Sequence, residues 1–572
     1  MKNEKNNSTC IDTNKSYVAD FETTTNENDC RVWCFSISEI GQEENTIVGK
    51  DITEFFNILE TLGNANMYFH NLKFDGQFII YYLLTHGYKH YDNTKKMGDK
   101  GFTTLISHLG VFYSIEIKIK KHNKIKIFDS RKKLPFPVND ISKAFNIEEV
   151  KGEIDYKKDR PIGYVPDENE INYVKNDTII VSKALNKQFH QGLTKMTIGS
   201  DALNSFKTMC DFDKLFPILS LEIDDFIRKS YRGGWTYLNP KWTNKNIGKM
   251  EVYDINSLYP SRMRYCLLPY DTPIYYMGKY KKDNKYPLYI QHIVVSFKLK
   301  RGHLPTIQDK KGFLFNSTEY ITECLDEPLE LYLTSVDLEL FKKMYNIYFI
   351  EYIDGYKFKG KYDMFNEYID FWNKIKMENS NGHGDKSLRT IAKLMLNNLY
   401  GKMATQVRTR RKIPYLKEEN IIGYHTTDEE IKDPIYTALA SFITAYARDL
   451  TIRNALNCYK NFVYADTDSL HLIYDDNNKT KLEIDPVELG KFKHESSPTR
   501  ARFLRAKTYI EEIDGKLEIK CAGMNDEIKK QVTWDNFRYG FSSNLKRKPK
   551  NVTGGVIIED IPFTITPPKC YN

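Results

Sequence analysis

NFVYADTDSLHL, residues 461–472, sets Asp466 and Asp468 two positions apart inside an otherwise apolar, β-prone run. In an extended strand side chains alternate faces, so Tyr464, Asp466 and Asp468 would share one side, the carboxylates roughly 7 Å apart. A hairpin tip spanning 466–468 would bring them about as close. Two ionised carboxylates on one side repel, and removing them from water is costly unless a cation lies beside them. A lone D-x-D is most often a solvated edge strand whose charges discourage further pairing. A divalent-cation site is the alternative, and it needs a third carboxylate and something that binds phosphate.

At 572 residues the chain is too long for one core, so about two to four domains are expected. With 41% hydrophobic and 28% charged residues it reads as a globular chain, not a disordered one. The formal charge of +8 is modest, but VRTRRK (407–412) and LKRKPK (545–550) concentrate it. Such runs are either solvated faces or, interleaved with abundant aromatics, surfaces for a nucleic-acid backbone and its bases. Of nine cysteines only Cys30 and Cys34 are close together, and no second pair completes a zinc set. The odd cysteine count and the absence of a secretory signal in MKNEKNNSTC predict a reducing cytoplasm. FIIYYLL (78–84) is far short of the roughly 20 residues a membrane span needs, so no membrane partner is expected.

A second acid pair lies in YVADFETTT (17–25), where Asp20 and Glu22 follow an apolar run. YFHNLKFDGQF (68–78) then supplies Asn71, Phe74 and Asp75, and INYVKNDTIIVSKAL (171–185) reads as an amphipathic helix. The spacing of Tyr173 and Asp177 puts phenol and carboxylate on one helical face. Four acids and a tyrosine in this order suit hydrolysis of a phosphodiester with two Mg²⁺: oxygen ligands hold the metals, and a phenol orients the water. Over residues 17–195 the pattern resembles the proofreading 3′–5′ exonucleases of the four-acid, tyrosine-containing type, on an RNase H-like sheet.

The third carboxylate near the D-x-D comes from MEVYDINSLYPSRM (250–263). A short β-run ends at Asp254, and Asn256-Ser257 can open a helix whose amides face phosphates. SLRTIAKLMLNNLYGKM (387–403) has helical spacing, with Leu388, Ile391, Leu394, Met395 and Leu399 as the apolar stripe. Lys393, Asn397 and Tyr400 fall on a neighbouring face, and Gly401 is the expected stop. A lysine, an amide and an aromatic on one ridge can meet a triphosphate, a sugar and a base.

In order the chain reads DxxSLYP, KxxxNxxYG and YxDTDS. These resemble motifs A, B and C of the family B DNA polymerases, and with the upstream exonuclease motifs nearly the whole chain resembles the protein-primed, phi-29-like phage type. YRGG (231–234), TAYAR (444–448), KTY (507–509), CAGM (521–524) and the basic GFSSNLKRKPK (540–550) match further family motifs. The resemblance implies an α/β and α+β multidomain fold: an RNase H-like exonuclease, then a right-hand polymerase of palm, fingers and thumb with two terminal-protein-region insertions. Its boundaries would be 1–197 for the exonuclease, 198–265 and 438–528 for the palm, 266–365 and 405–437 for the insertions, 366–404 for the fingers and 529–572 for the thumb. The long gaps between the three motifs identify the insertions, and VRTRRK would meet DNA phosphates in the second.

The resemblance also implies residue roles. Asp254 and Asp468 would be the principal polymerase metal ligands, with Asp466 adjacent and the Ile255 carbonyl an additional ligand. Lys376 and Lys393 would approach the triphosphate, with Asn397 beside them; Tyr259 would pack under the deoxyribose and Tyr400 would face the nascent pair. Asp20, Glu22, Asp75 and Asp177 would hold the exonuclease metals, helped by Glu153, while Tyr173 and Lys151 assist the water. Asn71, Phe74, Ser130, Tyr231, Gly233, Gly234, Thr444, Arg448, Lys507 and Tyr509 would contact DNA. Mg²⁺, replaceable by Mn²⁺, is the implied cofactor. The implied partners are template and primer DNA, dNTPs and a terminal priming protein, for a monomer in the cytoplasm of an infected bacterial host. The sequence departs from the family at Arg131, Asn398, Ala465 and Glu153, and in the lengthened 379–386. Two other functions compete: a repair exonuclease whose second half only holds DNA, and a catalytically silent replication factor. Intact Asp254, Asp466 and Asp468 count against both.

Overall fold

The computed structural model describes residues 15–308, 320–380, 384–476 and 480–567. MKNEKNNSTC, part of the 379–386 segment and Cys570 lie outside the described residues.

The first body is an eight-stranded mixed sheet, ordered Gln42–Gly49, Val32–Glu39, Lys15–Thr23, Ala65–Phe69, Asn123–Asp129, Phe112–Lys120, Gly101–Ile106 and Lys89–His90. Lys15–Thr23 pairs antiparallel with Val32–Glu39 and parallel with Ala65–Phe69. The helix Glu168–His190 crosses one face and Leu72–Thr85 the other side of the strand ends. The long helix starts where the sequence offers a reciprocal cap: Asp167 accepts the Glu170 amide, and the Glu170 carboxylate accepts the Asp167 amide.

The second body is built on a five-stranded sheet, ordered Phe492–Ser496, Met250–Ile255, Ser469–Ile473, Phe462–Asp466 and Thr236–Leu238. Behind it runs Thr437–Asn457, a helix with buried residues on most sides, as expected for one enclosed by neighbours. The helices Asn366–Glu378 and Lys386–Met403 pack on each other and on the Leu258–Tyr265 helix that follows the Met250–Ile255 strand. Gly401 does not stop the latter: it remains helical, and the turn ends at Met403 with Ala404 as cap, since glycine weakens a helix without forbidding it. A separate four-stranded sheet spans Leu268–Met277, Leu288–Leu299, Glu323–Thr334 and Tyr345–Lys361. Two hairpins, Lys412–Leu416 with Ile422–Thr426 and Ser542–Val552 with Gly555–Thr564, reach back to the first body. Ile422, Val552, Val556 and Ile557 are buried in the same apolar cluster as Phe78 and Phe35.

Candidate active sites

The first site lies at the end of the Lys15–Thr23 strand. Its alternation puts Asp20 and Glu22 on one face, Asp75 arrives from the first turn of Leu72–Thr85, and Tyr173 and Asp177 from Glu168–His190. All five, with Asn71, Phe74 and Lys151, line one cavity of ≈ 590 Å³. Burial first, and then the neighbouring Asp177 charge, push Asp20 up to about 7, and burial with the Asp20 charge holds Glu22 and Asp75 well above the usual carboxylate range. Lys151 offsets this by pairing with Asp177, while the Asp177 Oδ1 atom is buried with no hydrogen-bond partner. The cavity is therefore short of positive charge.

Sequence reasoning missed Tyr156, whose hydroxyl lies 2.7 Å from that of Tyr173. A lone tyrosine in a loop carries no signal until the fold brings it across. Two of the expected residues, Glu153 and Ser130, do not line the cavity. Glu153 is exposed, lies outside the cavity and turns its field on Lys530. Ser130 is fully buried: its hydroxyl donates to the Phe69 carbonyl (3.1 Å) and pairs with His70 (3.0 Å), so its side chain supports the wall of the site.

The second site is the opening stretch itself. The strand Phe462–Asp466 ends at Asp466, Thr467 turns the chain at φ +64°, and Asp468 precedes the strand Ser469–Ile473. The acids thus flank a hairpin tip, not one face of a continuous strand. Asp254 lies opposite Ser469 in the adjacent strand, and the Ile255 amide donates to the Asp468 carbonyl at 2.8 Å. Burial first, then the Asp254 charge, raise Asp468 to about 6. Asp466 accepts from Lys507 (2.8 Å) and from Thr236 (3.0 Å), and the Lys507 amide donates to the Tyr464 hydroxyl (3.0 Å). Gly234 lies so close to the tip that a Cβ there would meet Thr467 at 2.7 Å; its neighbours Tyr231 and Gly233 belong to the same loop.

Around this tip stand the nucleotide candidates. Lys376 donates to Ser257 at 2.9 Å, and burial followed by the Lys393, Lys493 and Arg389 charges lowers it to about 8. Lys393 and Asn397 are exposed on their helix, and the rings of Tyr259 and Tyr400 stack at 3.9 Å, tilted by 20°. Lys493 and Arg389 were not anticipated; the alternation of KFKHES hinted at Lys493, but only strand pairing sets it against Asp254.

Three residues expected near DNA have their side chains turned inward. The Thr444 hydroxyl is buried and donates to the Ala440 carbonyl at 2.8 Å. Arg448 is buried against Asp337 (2.8 Å) and donates to the carbonyls of Arg232 (2.7 Å) and Gly233 (2.8 Å), so it holds the 231–234 loop. Tyr509 packs with Phe503, Tyr464 and His471 beneath the hairpin. In each case helical or strand periodicity turned the group inward. VRTRRK also meets acids: Arg408 pairs with Asp225 (2.6 Å), Arg410 with Glu429 (3.7 Å) and Arg411 with Glu430.

A family model described as DNA polymerase type B, organellar and viral, matches residues 61–485. The chain belongs to that family. This polymerase is 46% identical to the DNA polymerase of Bacillus phage Nf over 96% of its own length and 99% of the relative's. It is 45% identical to that of Bacillus phage phi29, again over 96% and 99%, and 35% identical to that of Streptococcus phage Cp-1 over 96% and 98%. Its structure matches phi29 DNA polymerase complexed with single-stranded DNA at a TM-score of 0.91, with 43% identity over 97% of this chain and 100% of the other. The phi29 ternary complex with primer-template DNA and incoming nucleotide matches at 0.90, with 44% identity over the same shares. The fold is the multidomain α/β architecture of a phi29-like phage polymerase, with exonuclease and polymerase domains. The chain is a replicative DNA-directed DNA polymerase with 3′–5′ exonuclease activity, and the nuclease-only and silent-scaffold alternatives are not favoured. Dependence on divalent metal comes with the family.

Proposed function

We propose that this polymerase is protein-primed and strand-displacing, and that Asp254, Asp466 and Asp468 mark its polymerising centre while Asp20, Glu22, Asp75 and Asp177 mark its editing centre. The convergence of Asp254 and Asp468 beside Lys376 and Lys393 carries this reading, because acids and cations facing one space suit a triphosphate bridged by metal.

Mg²⁺, or Mn²⁺ in its place, fits both donor sets. The buried, partnerless Asp177 Oδ1 and the raised carboxylates leave oxygen donors without balancing charge. Asp254 and Asp468, with the Ile255 carbonyl, would hold the ion in one site, and Asp20, Glu22 and Asp177 in the other. When bound, the metal acidifies the attacking hydroxyl or water and steadies the leaving oxygen. Lys376 and Lys393 bind the triphosphate, Asn397 lies beside them, Tyr259 closes the space below the sugar and Tyr400 meets the base pair. In the editing site Tyr173 orients the water, Lys151 holds Asp177, and Asn71 and Phe74 line the path of the single strand. Tyr231, Gly233, Gly234 and Lys507 lie along the primer.

The same reading divides the chain at the boundaries the motifs imply. The four-stranded sheet in 266–365 and the hairpin in 405–437 support the two terminal-protein regions, and the hairpin in 529–572 supports the thumb. The partners are template, primer, dNTPs and a terminal protein with a hydroxyl side chain, in the cytoplasm of an infected bacterial host. The test is extension and 3′–5′ degradation of primed DNA, alongside nucleotidylation of the candidate terminal protein. Asp254→Asn should abolish extension and nucleotidylation and spare degradation. Asp20→Asn with Glu22→Gln should do the reverse. Loss of both activities in either folded variant would overturn the assignment of two sites.

A further inference from the structure

Lys493 is the Cα partner of Asp254 across two antiparallel strands, and its Nζ lies 3.0 Å from Asp254 Oδ2. The backbone that carries it is fixed. The Asn256 amide donates to the Lys491 carbonyl (2.9 Å), the Gly490 amide to the Asn256 carbonyl (2.8 Å), and the Asn256 side chain to the Asp485 carbonyl (2.7 Å). The side chain is freer, 42% exposed at the end of a flexible stem. Lys493 also contributes to the positive field that reaches Lys376, together with Lys393 and Arg389. It therefore stands between two anionic customers: the Asp254 carboxylate, and whatever phosphate the other cations bind.

We propose that Lys493 is a counter-cation that changes partners during nucleotide binding: its ammonium occupies Asp254 in the empty site and turns to the triphosphate when a nucleotide arrives, freeing the carboxylate. The inference rests on the assignment of Asp254 to the polymerising centre. An ammonium and a divalent ion compete for the same carboxylate oxygen, so Lys493 disfavours metal in the empty site. An incoming triphosphate offers the ammonium a second partner and removes that competition. By linkage, metal and nucleotide must then strengthen each other's binding through this residue. A plain cross-strand ion pair would instead contribute only to sheet stability.

The two roles differ in sign. The probe for the empty site is Mn²⁺ alone, titrated by electron paramagnetic resonance into full-length protein without DNA or nucleotide. The probe for the filled site is the equilibrium affinity of a dNTP for the complex with a dideoxy-terminated primer-template, in Ca²⁺. Lys493→Gln keeps the stem and removes the charge. It should bind Mn²⁺ more tightly and dNTP more weakly, each by roughly two- to fivefold, the worth of a half-exposed ion pair. Lys493→Arg should restore both. Unchanged affinities, or shifts of the same sign, would reduce Lys493 to a sheet contact and overturn the proposal. Asp254→Asn separates the two levels. If it abolishes extension while Lys493→Gln moves neither affinity, only this inference fails. If Asp254→Asn extends primers normally, the site assignment itself fails.

Discussion

Tyr259 illustrates how a single side chain acquires a task. Its ring lies on that of Tyr400, 3.9 Å away, so it cannot swing aside without losing a stacked partner. A wall that cannot move discriminates by shape. Tyr259→Val should raise incorporation of ribonucleotides relative to deoxynucleotides on the order of tenfold or more, about 1.4 kcal/mol of lost discrimination. Competitive single-insertion assays measure the ratio, and an unchanged ratio would reject the role. Asp20 illustrates the opposite situation, a residue kept where it destabilises. Its carboxyl is raised from 3.8 to about 7 by burial and by Asp177, so between those values the native state holds a proton that the unfolded state has released. Stability from this group is therefore present at low pH and declines as pH rises through that window. In EDTA, Asp20→Asn should melt a few degrees above wild type at pH 8, at roughly 2–4 °C per kcal/mol, and no higher at pH 3.5. Calorimetry at the two pH values decides it.

Among the elements, the hairpin 462–473 depends on what touches its tip. Gly234 fits against Thr467 only because it has no side chain. Gly234→Ala should displace the residue between the two aspartates and lower extension on the order of 10²-fold, the usual result of misplacing reacting groups by about 1 Å, while degradation of single strands stays intact. Equal loss of both activities would point to general unfolding. Elements of this kind were legible where pattern and chemistry coincide. Asp254, Asp466 and Asp468 sit at strand ends flanked by apolar runs, and the stripe through Ile391 and Met395 announces its helix. What stayed illegible depends on distant partners. Nothing in TAYAR says that Arg448 turns toward Asp337, nothing in VRTRRK says that Asp225, Glu429 and Glu430 will lie beside it, and Lys493 acquires its meaning only from the strand beside it. Local spacing specifies which face a residue occupies, but whether that face meets solvent or another element is decided by tertiary packing.

At the scale of the whole molecule, the Ser542–Val552/Gly555–Thr564 hairpin ties the last described residues to the first domain. A Cβ on Gly554 would meet the Cys30 carbonyl at 2.0 Å, one on Gly555 would meet Phe78 at 2.5 Å, and Lys550 pairs with Glu27 at 2.9 Å. Beside them Asn551 donates to the Ile422 carbonyl (3.2 Å) and Tyr424 to Gln77 (2.7 Å), so the second hairpin joins the same closure. Gly554→Val should lift this hairpin away and shorten the products made per binding event, while the first nucleotide inserted by a pre-bound complex is unaffected. Product length under a DNA trap measures this, and unchanged length would show that the closure does not retain DNA. The closure also sets an order in time. Cys30 and Val556, joined through the Cys30 thiol and a backbone carbonyl, are 526 positions apart. At about 5–20 residues per second on the ribosome, the first partner waits roughly half a minute to two minutes for the second. During that wait Phe78 and its neighbours lack part of their cover, so nascent chains stay exposed to aggregation and proteolysis until residues 552–557 emerge and fold back.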